Sequence, residues 1–520
     1  MGLEVRFTNQ VGRRRKTYHR WIRIRKTIQI AVLFVTLSLF IIARGDSKPA
    51  SIVQLPIYLD PLLIFISALA SRSVQAIMLL ALLTIGTTLL FGRVWCGWMC
   101  PLGTLIDLFS PRKSRRGKPE GMNISDKLRA IKYLLLFSII LMALWGNMTL
   151  LIFDPITILY RFITFSFMPG LDSLITNGES FLTSISALSN LVGKFDVWLR
   201  PRIFPYTPIT YQYAWLFLLI LSAIIALNWI VPRFWCRYIC PLGGLLGLTS
   251  KVAVLQRRVK EECHQCGVCT RSCPLGTIDP HRGYASDPAE CTLCLECLPA
   301  CPRLASRFTF GLTPIVWNDY DPGRRQFLTT FVLTALYTAA VSSGQDKTDT
   351  HPALLPPGVS RKELLSKCLR CSACIRACPT GALQPAILDS GIEGIWTPVF
   401  IPRVGYCDYS CNKCGSICPV EAIPKLDLAD KRNKVIGLAR IDRNRCIAWA
   451  DHQDCIVCEE MCPLPKKAIR LEQQRSTSGR NESIIVQLPH VNTDLCIGCG
   501  ICEFKCPVVG EAAIRVYPTG

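Results

Sequence analysis

Histidine is scarce in this chain, with six in 520 residues. None lies in an apolar segment long enough to span a membrane, which excludes a haem held by histidines between helices. The sequence also lacks the C-x-x-C-H motif of covalent haem attachment and the G-x-G-x-x-G motif of dinucleotide binding. We therefore expect the chain to bind neither haem nor nucleotide.

Acidic residues are also few, since 37 Asp and Glu face 59 Lys and Arg for a net charge of +22. Eight of the basic residues fall in the run "RRRKTYHRWIRIRK" from Arg13 to Lys26. Such a run can bind nucleic acid. Here it directly precedes an apolar segment, which is the pattern of a cytoplasmic flank on a membrane span. We expect no nucleic-acid partner and, because further spans follow, no cleaved signal peptide.

Apolar residues make up 50% of the chain, and the mean hydropathy is +0.31. Four segments are predicted to span a membrane, at 27–43, 74–92, 131–145 and 213–231. Two weaker segments, at about 61–70 and 150–168, follow Asp-Pro pairs and could be re-entrant or interfacial helices. A fifth candidate, 327–341, is short.

The distribution of charge predicts the orientation of these spans. Residues 13–26, 110–120 and 233–260 are strongly basic, whereas 146–212 is nearly balanced. Basic flanks stay on the cytoplasmic side. We therefore expect a cytoplasmic N-terminus, four spans, and a return to the cytoplasm near Arg233.

One stretch of sequence occurs twice. "FGRVWCGWMCPLGTL" from Phe91 aligns with "VPRFWCRYICPLGGL" from Val231, and each copy carries the motif C-x-x-x-C-P. Internal repeats in membrane proteins relate two halves by a pseudo-two-fold axis. Both copies fall at the cytoplasmic ends of their spans, so the repeat is expected to be parallel.

The chain is rich in cysteine, with 28. Disulfide-rich scaffolds are short secreted chains, which this is not. The spacing C-x2-C-x2-C-x3-C-P occurs twice and is that of two-cluster bacterial ferredoxins, in which the fourth cysteine serves the other cluster. Zinc would favour separated C-x2-C pairs. The predicted ligands of two [4Fe–4S] clusters are Cys263, Cys266, Cys269 and Cys301 for the first, and Cys291, Cys294, Cys297 and Cys273 for the second.

Four further groups each end in Cys-Pro and predict four more [4Fe–4S] clusters, six in all. Two keep the ferredoxin spacing, one widens the first gap by one residue, and one widens it to "IAWADHQD". The groups are Cys368, Cys371, Cys374 and Cys378; Cys407, Cys411, Cys414 and Cys418; Cys446, Cys455, Cys458 and Cys462; and Cys496, Cys499, Cys502 and Cys506.

The six groups leave four cysteines, which are those of the repeat: Cys96, Cys100, Cys236 and Cys240. One hypothesis is that the two half-sites meet and hold a shared thiolate-ligated centre such as [2Fe–2S]. A redox-active pair of dithiols is an alternative. So is a pair of Cys-Pro helix ends that serve only packing.

The stretch "DPGRRQFLTTFVLTALYTAA" from Asp321 resembles a twin-arginine export signal placed within the chain. It departs from the usual pattern in having Gly323 before the arginines and no Lys after Phe-Leu. An ordinary signal-anchor helix is the alternative. Either interpretation moves the residues after about 342 to the extracytoplasmic side.

Residues about 27–310 resemble the NapH-type membrane quinol-dehydrogenase ferredoxins, through the two C-x-x-x-C-P-L-G motifs, the four spans and the ferredoxin pair. Residues about 320–520 resemble the NapG-type and MauM-type four-cluster ferredoxins, through the twin-arginine segment and the stretched third motif. A fusion of the two is the expected architecture. The resemblance implies a quinol dehydrogenase component that passes electrons to an extracytoplasmic redox partner. By similarity with four-cluster ferredoxins, the first and fourth motifs, and the second and third, should exchange their fourth ligands.

The expected fold is multidomain, with an α-helical membrane bundle and α+β ferredoxin-like domains on both sides of an inner membrane. The lipid and its quinone pool would be partners. The predicted domains are a basic cytoplasmic tail (1–26), a four-span domain (27–260), a cytoplasmic two-cluster ferredoxin (261–310), a signal-anchor helix (311–345) and an extracytoplasmic four-cluster domain (346–520).

Charged residues inside a membrane domain are candidates for function. Asp60 and Asp154 could accept protons from quinol, and Arg93 and Arg233 could orient a quinone oxygen. The aspartates could instead cap helices that begin with Pro, and the arginines could simply extend to the interface. A role in metal assembly or redox regulation, and electron flow from ferredoxin to quinone, are the competing functions.

Overall fold

The computed structural model describes ten ranges of the chain. These are 2–42, 54–73, 76–110, 126–184, 189–204, 209–311, 324–343, 353–387, 390–477 and 483–519. The basic segment expected at 110–120 lies almost wholly outside them, as do Asp321 to Gly323 of the twin-arginine stretch.

The N-terminal half is helical. Its α-helices are Gly2–Ile42, Leu55–Tyr58, Pro61–Ser71, Leu80–Phe91, Pro101–Leu108, Ala130–Leu144, Pro155–Phe162, Met168–Thr183, Ser189–Ile203, Ala214–Ile230 and Pro241–Ser250. Single 3₁₀ turns precede several of them, at Ala76–Leu79, Asp126–Arg129 and Thr149–Phe153.

Within the ten described ranges, two helices are both long and apolar enough to cross a bilayer, Arg13–Ile41 and Pro155–Thr183. Four apolar helices are shorter: Pro61–Ser71, Leu80–Phe91, Ala130–Leu144 and Ala214–Ile230. The prediction of four spans is therefore met only in part, because three of the predicted spans form helices of 12, 15 and 17 residues. The weak segment at 150–168 continues to Thr183 through a π turn at Ile163–Phe167 and is longer than predicted.

Both copies of the repeat fold in the same way. Each forms a single π turn, Trp95–Met99 in the first and Trp235–Ile239 in the second. Each turn ends in a cysteine that caps the next helix, and Pro occupies the first position of that helix, where its missing N–H is not needed. Single π turns are frequent at functional sites.

The two-cluster region is a small α+β unit. Strand Leu255–Val259 pairs antiparallel with Ser306–Phe310, and Ile278–Asp279 pairs with Ala285–Ser286. The short helices Val268–Ser272 and Cys297–Ala300 each end at the fourth cysteine of a motif. The unit therefore has the antiparallel hairpins and short cysteine-bearing helices expected of the predicted ferredoxin.

The C-terminal module is built of short helices and hairpins. Its strands pair as Leu383–Pro385 with Pro398–Phe400, Leu438–Ile441 with Ile514–Tyr517, and Ile469–Thr477 with Ser483–Val491. Its α-helices are Arg361–Lys367, Ala373–Ala377, Lys413–Ser416, Leu428–Arg432, Ile447–Ala450, Val457–Glu460 and Ile501–Lys505. The helix Arg324–Ser343 precedes the module and packs on Ala130–Leu144, with a hydrogen bond of 3.0 Å from Thr334 to Ser138.

The two-cluster region and the C-terminal module lie at opposite ends of the helical half. The helix Ala130–Leu144 begins where Arg129 donates to the Gly276 carbonyl at 2.8 Å. Just beyond its other end, Asn147 donates to the Glu393 carboxylate at 2.9 Å. Fifteen residues of helix rise about 22 Å, which separates the two contacts.

The first helix runs between the same two regions. Arg25 pairs with Glu296 of the two-cluster region at 3.2 Å. Fifteen residues later, the Phe40 ring lies 3.5 Å below the guanidinium of Arg376 in the C-terminal module. The helical half is thus a bundle with one cysteine-rich module at each end.

Candidate metal centres

The two-cluster region brings cysteines from both of its motifs together. One cavity is lined by Cys291, Cys294 and Cys297 together with Cys273 of the other motif. These are the four predicted ligands of the second cluster. Cys269 interacts electrostatically with Cys301 and Cys263, which belong to the set predicted for the first.

Two cavities in the C-terminal module are also ringed by four cysteines each. One is lined by Cys462 together with Cys496, Cys499 and Cys502. The other is lined by Cys506 together with Cys446, Cys455 and Cys458. The third and fourth motifs therefore exchange their last cysteines with each other.

The first and second motifs make the corresponding exchange. Burial, followed by Cys407, Cys378 and Cys411, raises the pKa of Cys414 to about 12. Cys378, the last cysteine of the first motif, thus completes the group of Cys407, Cys411 and Cys414 in the second motif.

The first group is completed in the same way by the last cysteine of the second motif. Burial raises the pKa of Cys371 to about 12, with Cys368 and Cys418 as charged neighbours. The expected pairing of first with fourth and second with third motif was wrong. Motifs that are adjacent in sequence also pack adjacently, because the Ala373–Ala377 helix lies against Lys413–Ser416.

These thiols fit polynuclear clusters better than single ions. No three His, Cys, Asp or Glu side chains within the described ranges converge closely enough to hold one metal ion. Three of the sites place four thiols around an apolar cavity. A [4Fe–4S] cluster requires one thiolate on each of four irons, and the residues present fit that requirement.

The four remaining cysteines also meet. Cys96, Cys100, Cys236 and Cys240 are all buried and share one hydrophobic core. Cys100 interacts electrostatically with Cys236 and Cys96, and Cys240 with all three others. The two half-sites, 140 residues apart in the sequence, therefore form one group, which we call the four-thiol site.

Arg93 and Arg233 lie beside the four-thiol site. They do not lie beside Asp60 and Asp154. Arg93 donates to the Glu290 carboxylate at 3.1 Å, and its Nη2 lies 3.9 Å from the Cys96 sulfur. Arg233 binds Asp107 through two N–H groups, at 2.9 and 2.5 Å. Both guanidinium groups are therefore paired with carboxylates at the two-cluster end of the bundle, and their orientation of a quinone oxygen stays a prediction.

Asp60 and Asp154 are fully buried and lie beside each other at the C-terminal-module end. Each caps a helix that begins with Pro, because Asp60 accepts from Leu62 N and Asp154 from Thr157 N. The capping interpretation therefore holds. However, the second oxygen of each carboxyl group finds no hydrogen-bond partner among the described residues.

The carboxyl pair and the four-thiol site are connected through aromatic rings. Phe153, which precedes Asp154, stacks on Trp235, with ring centroids 6.4 Å apart. Trp235 in turn precedes Cys236. On the other side of the pair, Arg161 lies 4.3 Å from the ring of Trp396 in the C-terminal module.

Sequence reasoning missed three buried charged residues of these sites. Lys132 and Glu290 form a buried ion pair, with Nζ to Oε2 at 2.6 Å. Arg161 donates to the Ile152 carbonyl at 3.0 Å near the carboxyl pair. Lys132 and Arg161 stand in apolar segments, where a charge signals function, and that signal could have found them.

Family models describe the two half-sites as well as the C-terminal module. A model of a 4Fe–4S binding domain matches residues 74–119 and 213–260, which contain the two C-x-x-x-C-P motifs. A second model with the same description matches residues 365–384 and 489–509. The chain therefore carries 4Fe–4S binding domains in both halves.

Relatives with known names match parts of the chain. The methylamine utilization ferredoxin-type protein MauM of Methylorubrum extorquens is 34% identical over 210 residues, which are 38% of this chain and 90% of the relative. The ferredoxin-type protein NapG of Escherichia coli is 35% identical over 206 residues, 38% of this chain and 86% of the relative. Protein NirI of Paracoccus denitrificans is 27% identical over 275 residues, 51% of this chain and 33% of NirI. No solved structure matches the chain.

Proposed function

The chain belongs to the family of the ferredoxin-type proteins NapG and MauM, and from that premise we propose that it is a membrane-bound quinol dehydrogenase component. Its relatives are named ferredoxin-type proteins, and this chain carries 4Fe–4S binding domains. The finer proposal has three parts: six [4Fe–4S] clusters, a multi-pass membrane domain of NapH type fused to the module, and quinol as the electron donor.

A belt of exposed apolar side chains supports the membrane domain. Large hydrophobic residues stand exposed on several helices of the bundle: Phe34, Val35, Leu82, Leu83, Leu218, Leu219, Trp229, Leu328 and Leu333. Soluble proteins rarely leave such a surface open, and a contiguous one marks contact with a membrane or a partner. A helix of 17 residues such as Ala214–Ile230 is within the range of spanning lengths.

The position of the modules supports the two-sided topology. With the basic Arg13–Lys26 run in the cytoplasm, the two-cluster region lies on the cytoplasmic side, because Arg25 binds Glu296. The C-terminal module then lies on the extracytoplasmic side, where a redox partner protein would meet it.

The carboxyl pair is the observation that carries the quinol assignment. Oxidation of a quinol releases two electrons and two protons, and the clusters, when bound, accept electrons one at a time. A buried carboxylate with a free oxygen can take a hydroxyl proton. Asp60 and Asp154 each leave one oxygen without a donor, beside the module that would receive the electrons.

Reduction of the clusters by quinol tests this proposal. In membranes holding the full chain, a quinol analogue should bleach the cluster absorbance, and a quinone-site inhibitor should prevent it. The variant Asp154→Asn keeps the helix cap but removes the proton acceptor, so the bleaching rate should fall about a hundredfold. Dithionite should still reduce its clusters fully.

The control variant is Asp196→Asn, which alters a half-exposed carboxylate paired with Arg200 elsewhere in the bundle. It should keep the normal rate. Normal quinol reduction in Asp154→Asn, or none in the unaltered protein, would contradict the proposal. Reduction by a soluble ferredoxin alone would instead indicate flow towards quinone.

A further inference from the structure

The four-thiol site is built from two matching halves. In each half a π turn places two cysteines on one side of the backbone, and the second cysteine caps the following helix. The Gly103 N–H donates to the Cys100 sulfur at 3.4 Å, and the Gly243 N–H donates to the Cys240 sulfur at 3.3 Å. A helix N-terminus stabilises a thiolate over a thiol, so two of the four sulfurs are prepared for ligation.

Two buried arginines lie beside the four-thiol site. Arg93 interacts with Cys96 and Cys240, and Arg233 interacts with Cys236. Both arginines are almost fully buried, and burying a charge is costly unless a counter-charge is present. The two guanidinium groups, each also paired with a carboxylate, place positive charge beside the four thiols, where it would favour an anionic thiolate-ligated cluster.

The two halves differ in the source of the carboxylate that pairs with the arginine, and in one of them the two-cluster region supplies it. Asp107 of the first copy binds Arg233 of the second, but its counterpart 140 residues later is Gly247. A Cβ at Gly247 would lie 3.0 Å from the Ala289 carbonyl oxygen. The loop that occupies this space supplies Glu290 to Arg93, so both arginines obtain a carboxylate.

The surroundings exclude water and resemble those of the other cluster sites. All four cysteines are at least nine-tenths buried, among Trp95, Trp235, Leu102 and Leu242. As at the six ferredoxin-type sites, the thiols within the described ranges do not converge on a single ion position.

We propose that Cys96, Cys100, Cys236 and Cys240 ligate a seventh iron–sulfur cluster, a [4Fe–4S] centre shared by the two half-sites. The match of each half-site to a 4Fe–4S binding domain favours four irons over two. This inference goes beyond the proposed function, because it holds whether quinol or another donor reduces the protein.

The location gives the centre a role. The Trp98 indole donates to the Leu293 carbonyl at 3.1 Å, within the loop that carries Cys291 and Cys294. On the opposite side, Trp235 stacks on Phe153, next to the carboxyl pair. The centre lies between the two-cluster region and the C-terminal module and would provide the relay inside the bundle.

Metal analysis of the full chain, purified without oxygen, tests the proposal. Seven cubanes give about 28 iron and 28 acid-labile sulfide per chain, six give about 24, and six with one [2Fe–2S] give about 26. We expect about 28. A count of about 24 in the unaltered protein, with complete cluster loading at the six ferredoxin-type sites by Mössbauer spectroscopy, would overturn the proposal. A count of about 26 would overturn the assignment of four irons.

A pair of matched variants locates the extra cluster. Cys96→Ser with Cys236→Ser should lose about four iron, four sulfide and one low-temperature EPR component of the reduced protein. The control variant Leu102→Val with Leu242→Val alters equally buried neighbours that cannot ligate metal. It should keep the full iron content, the full sulfide content and every EPR component. Retention of every iron and every EPR component in the cysteine variant would contradict a cluster at this site. The iron count is made on folded protein, so it does not depend on activity.

Discussion

At the scale of single residues, Glu290 is the most heavily engaged carboxylate of the bundle. It accepts hydrogen bonds from Arg93, Lys132 and Tyr133 and is almost completely buried. Its pKa is lowered: burial opposes the charged form, but Lys132, Arg93 and Arg129 outweigh it. One residue of the two-cluster region therefore neutralises two buried cations of the bundle.

The variant Glu290→Gln should destabilise the protein strongly. It leaves Lys132 and Arg93 buried without a carboxylate, and removal of one partner of a buried ion pair costs about 3–5 kcal/mol. We expect the apparent melting temperature in detergent to fall by several degrees.

The control for this variant is Glu511→Gln, which loses the exposed pairs with Arg445 and Arg515 and should melt within about one degree of the unaltered protein, because exposed pairs contribute little. Equal melting temperatures of Glu290→Gln and the unaltered protein would show that the buried network is not stabilising.

The sequence allowed the aspartates to be found but not Glu290. The Asp-Pro pairs indicated both a cap and a candidate proton acceptor, and the structure brings the two carboxyl groups together. Glu290 sits between cysteine motifs in a polar loop, where an acidic residue is ordinary. Only the structure shows that Glu290 pairs with Arg93, in place of the carboxylate that Gly247, the counterpart of Asp107, does not have.

At the scale of elements, the docking of the two-cluster loop depends on a glycine in the first π turn. A Cβ on Gly97 would overlap the Thr292 carbonyl oxygen. Because that oxygen belongs to backbone, it cannot move without the loop. The close approach between Gly97 and Thr292 therefore sets the distance between the half-site and the loop.

The variant Gly97→Ala should displace the two-cluster loop and make residues 261–310 more accessible to protease. Gly86→Ala is the matched control, because a Cβ there meets nothing within 4 Å. In the interior of the Leu80–Phe91 helix that change should stabilise the protein slightly, by about 0.5–1 kcal/mol. The same digestion rate for both variants would argue against this contact.

The exchange of ligands between adjacent motifs can be tested with double variants in the C-terminal module. Cys378→Ser with Cys407→Ser removes two ligands from one site, so a single cluster, about four iron, should be lost. Cys378→Ser with Cys496→Ser removes one ligand from each of two sites and should perturb two EPR components. If Cys378→Ser with Cys496→Ser lost a single cluster and Cys378→Ser with Cys407→Ser perturbed two, the first motif would instead exchange ligands with the fourth.

The motifs and their number could be read from spacing, but the partners could not. A C-x3-C-P segment predicts that its last cysteine leaves its own group, without indicating which neighbour receives it. That choice depends on how short helices pack, such as Val457–Glu460 against Ile501–Lys505. The predicted spans 131–145 and 213–231 agree closely with the helices Ala130–Leu144 and Ala214–Ile230. The span 74–92 was predicted too long at its start, because the 3₁₀ turn Ala76–Leu79 precedes the helix Leu80–Phe91.

At the scale of the whole molecule, the bundle with a module at each end predicts opposite exposure of two loops. An epitope tag placed at the open position Gly283 should be accessible only after the cell membrane is permeabilised. At Gly510 an added Cβ also meets no atom within 4 Å. The same tag there should be accessible once the layers of the cell envelope outside this membrane are opened. Accessibility of both tags from one side would contradict the two-sided topology.

The two-sided topology stays a prediction from charge and motif order, which are local features of the sequence. The contacts that close the bundle could not be predicted, since they join residues far apart in sequence. Arg370 illustrates this. It donates to the Met148 carbonyl at 2.6 Å and to the Glu393 carbonyl at 2.7 Å, and nothing around Cys368 and Cys371 indicates such a role.

The closing of the bundle by the C-terminal module has a consequence for biogenesis. Arg161 is covered by Trp396, and Tyr58 donates to the Pro419 carbonyl, so the carboxyl pair is sealed only once the module has docked. Before that docking, the outer end of the bundle would be open to water. Docking of the module would therefore act as a checkpoint in maturation, because only then is the buried environment of the carboxyl pair complete.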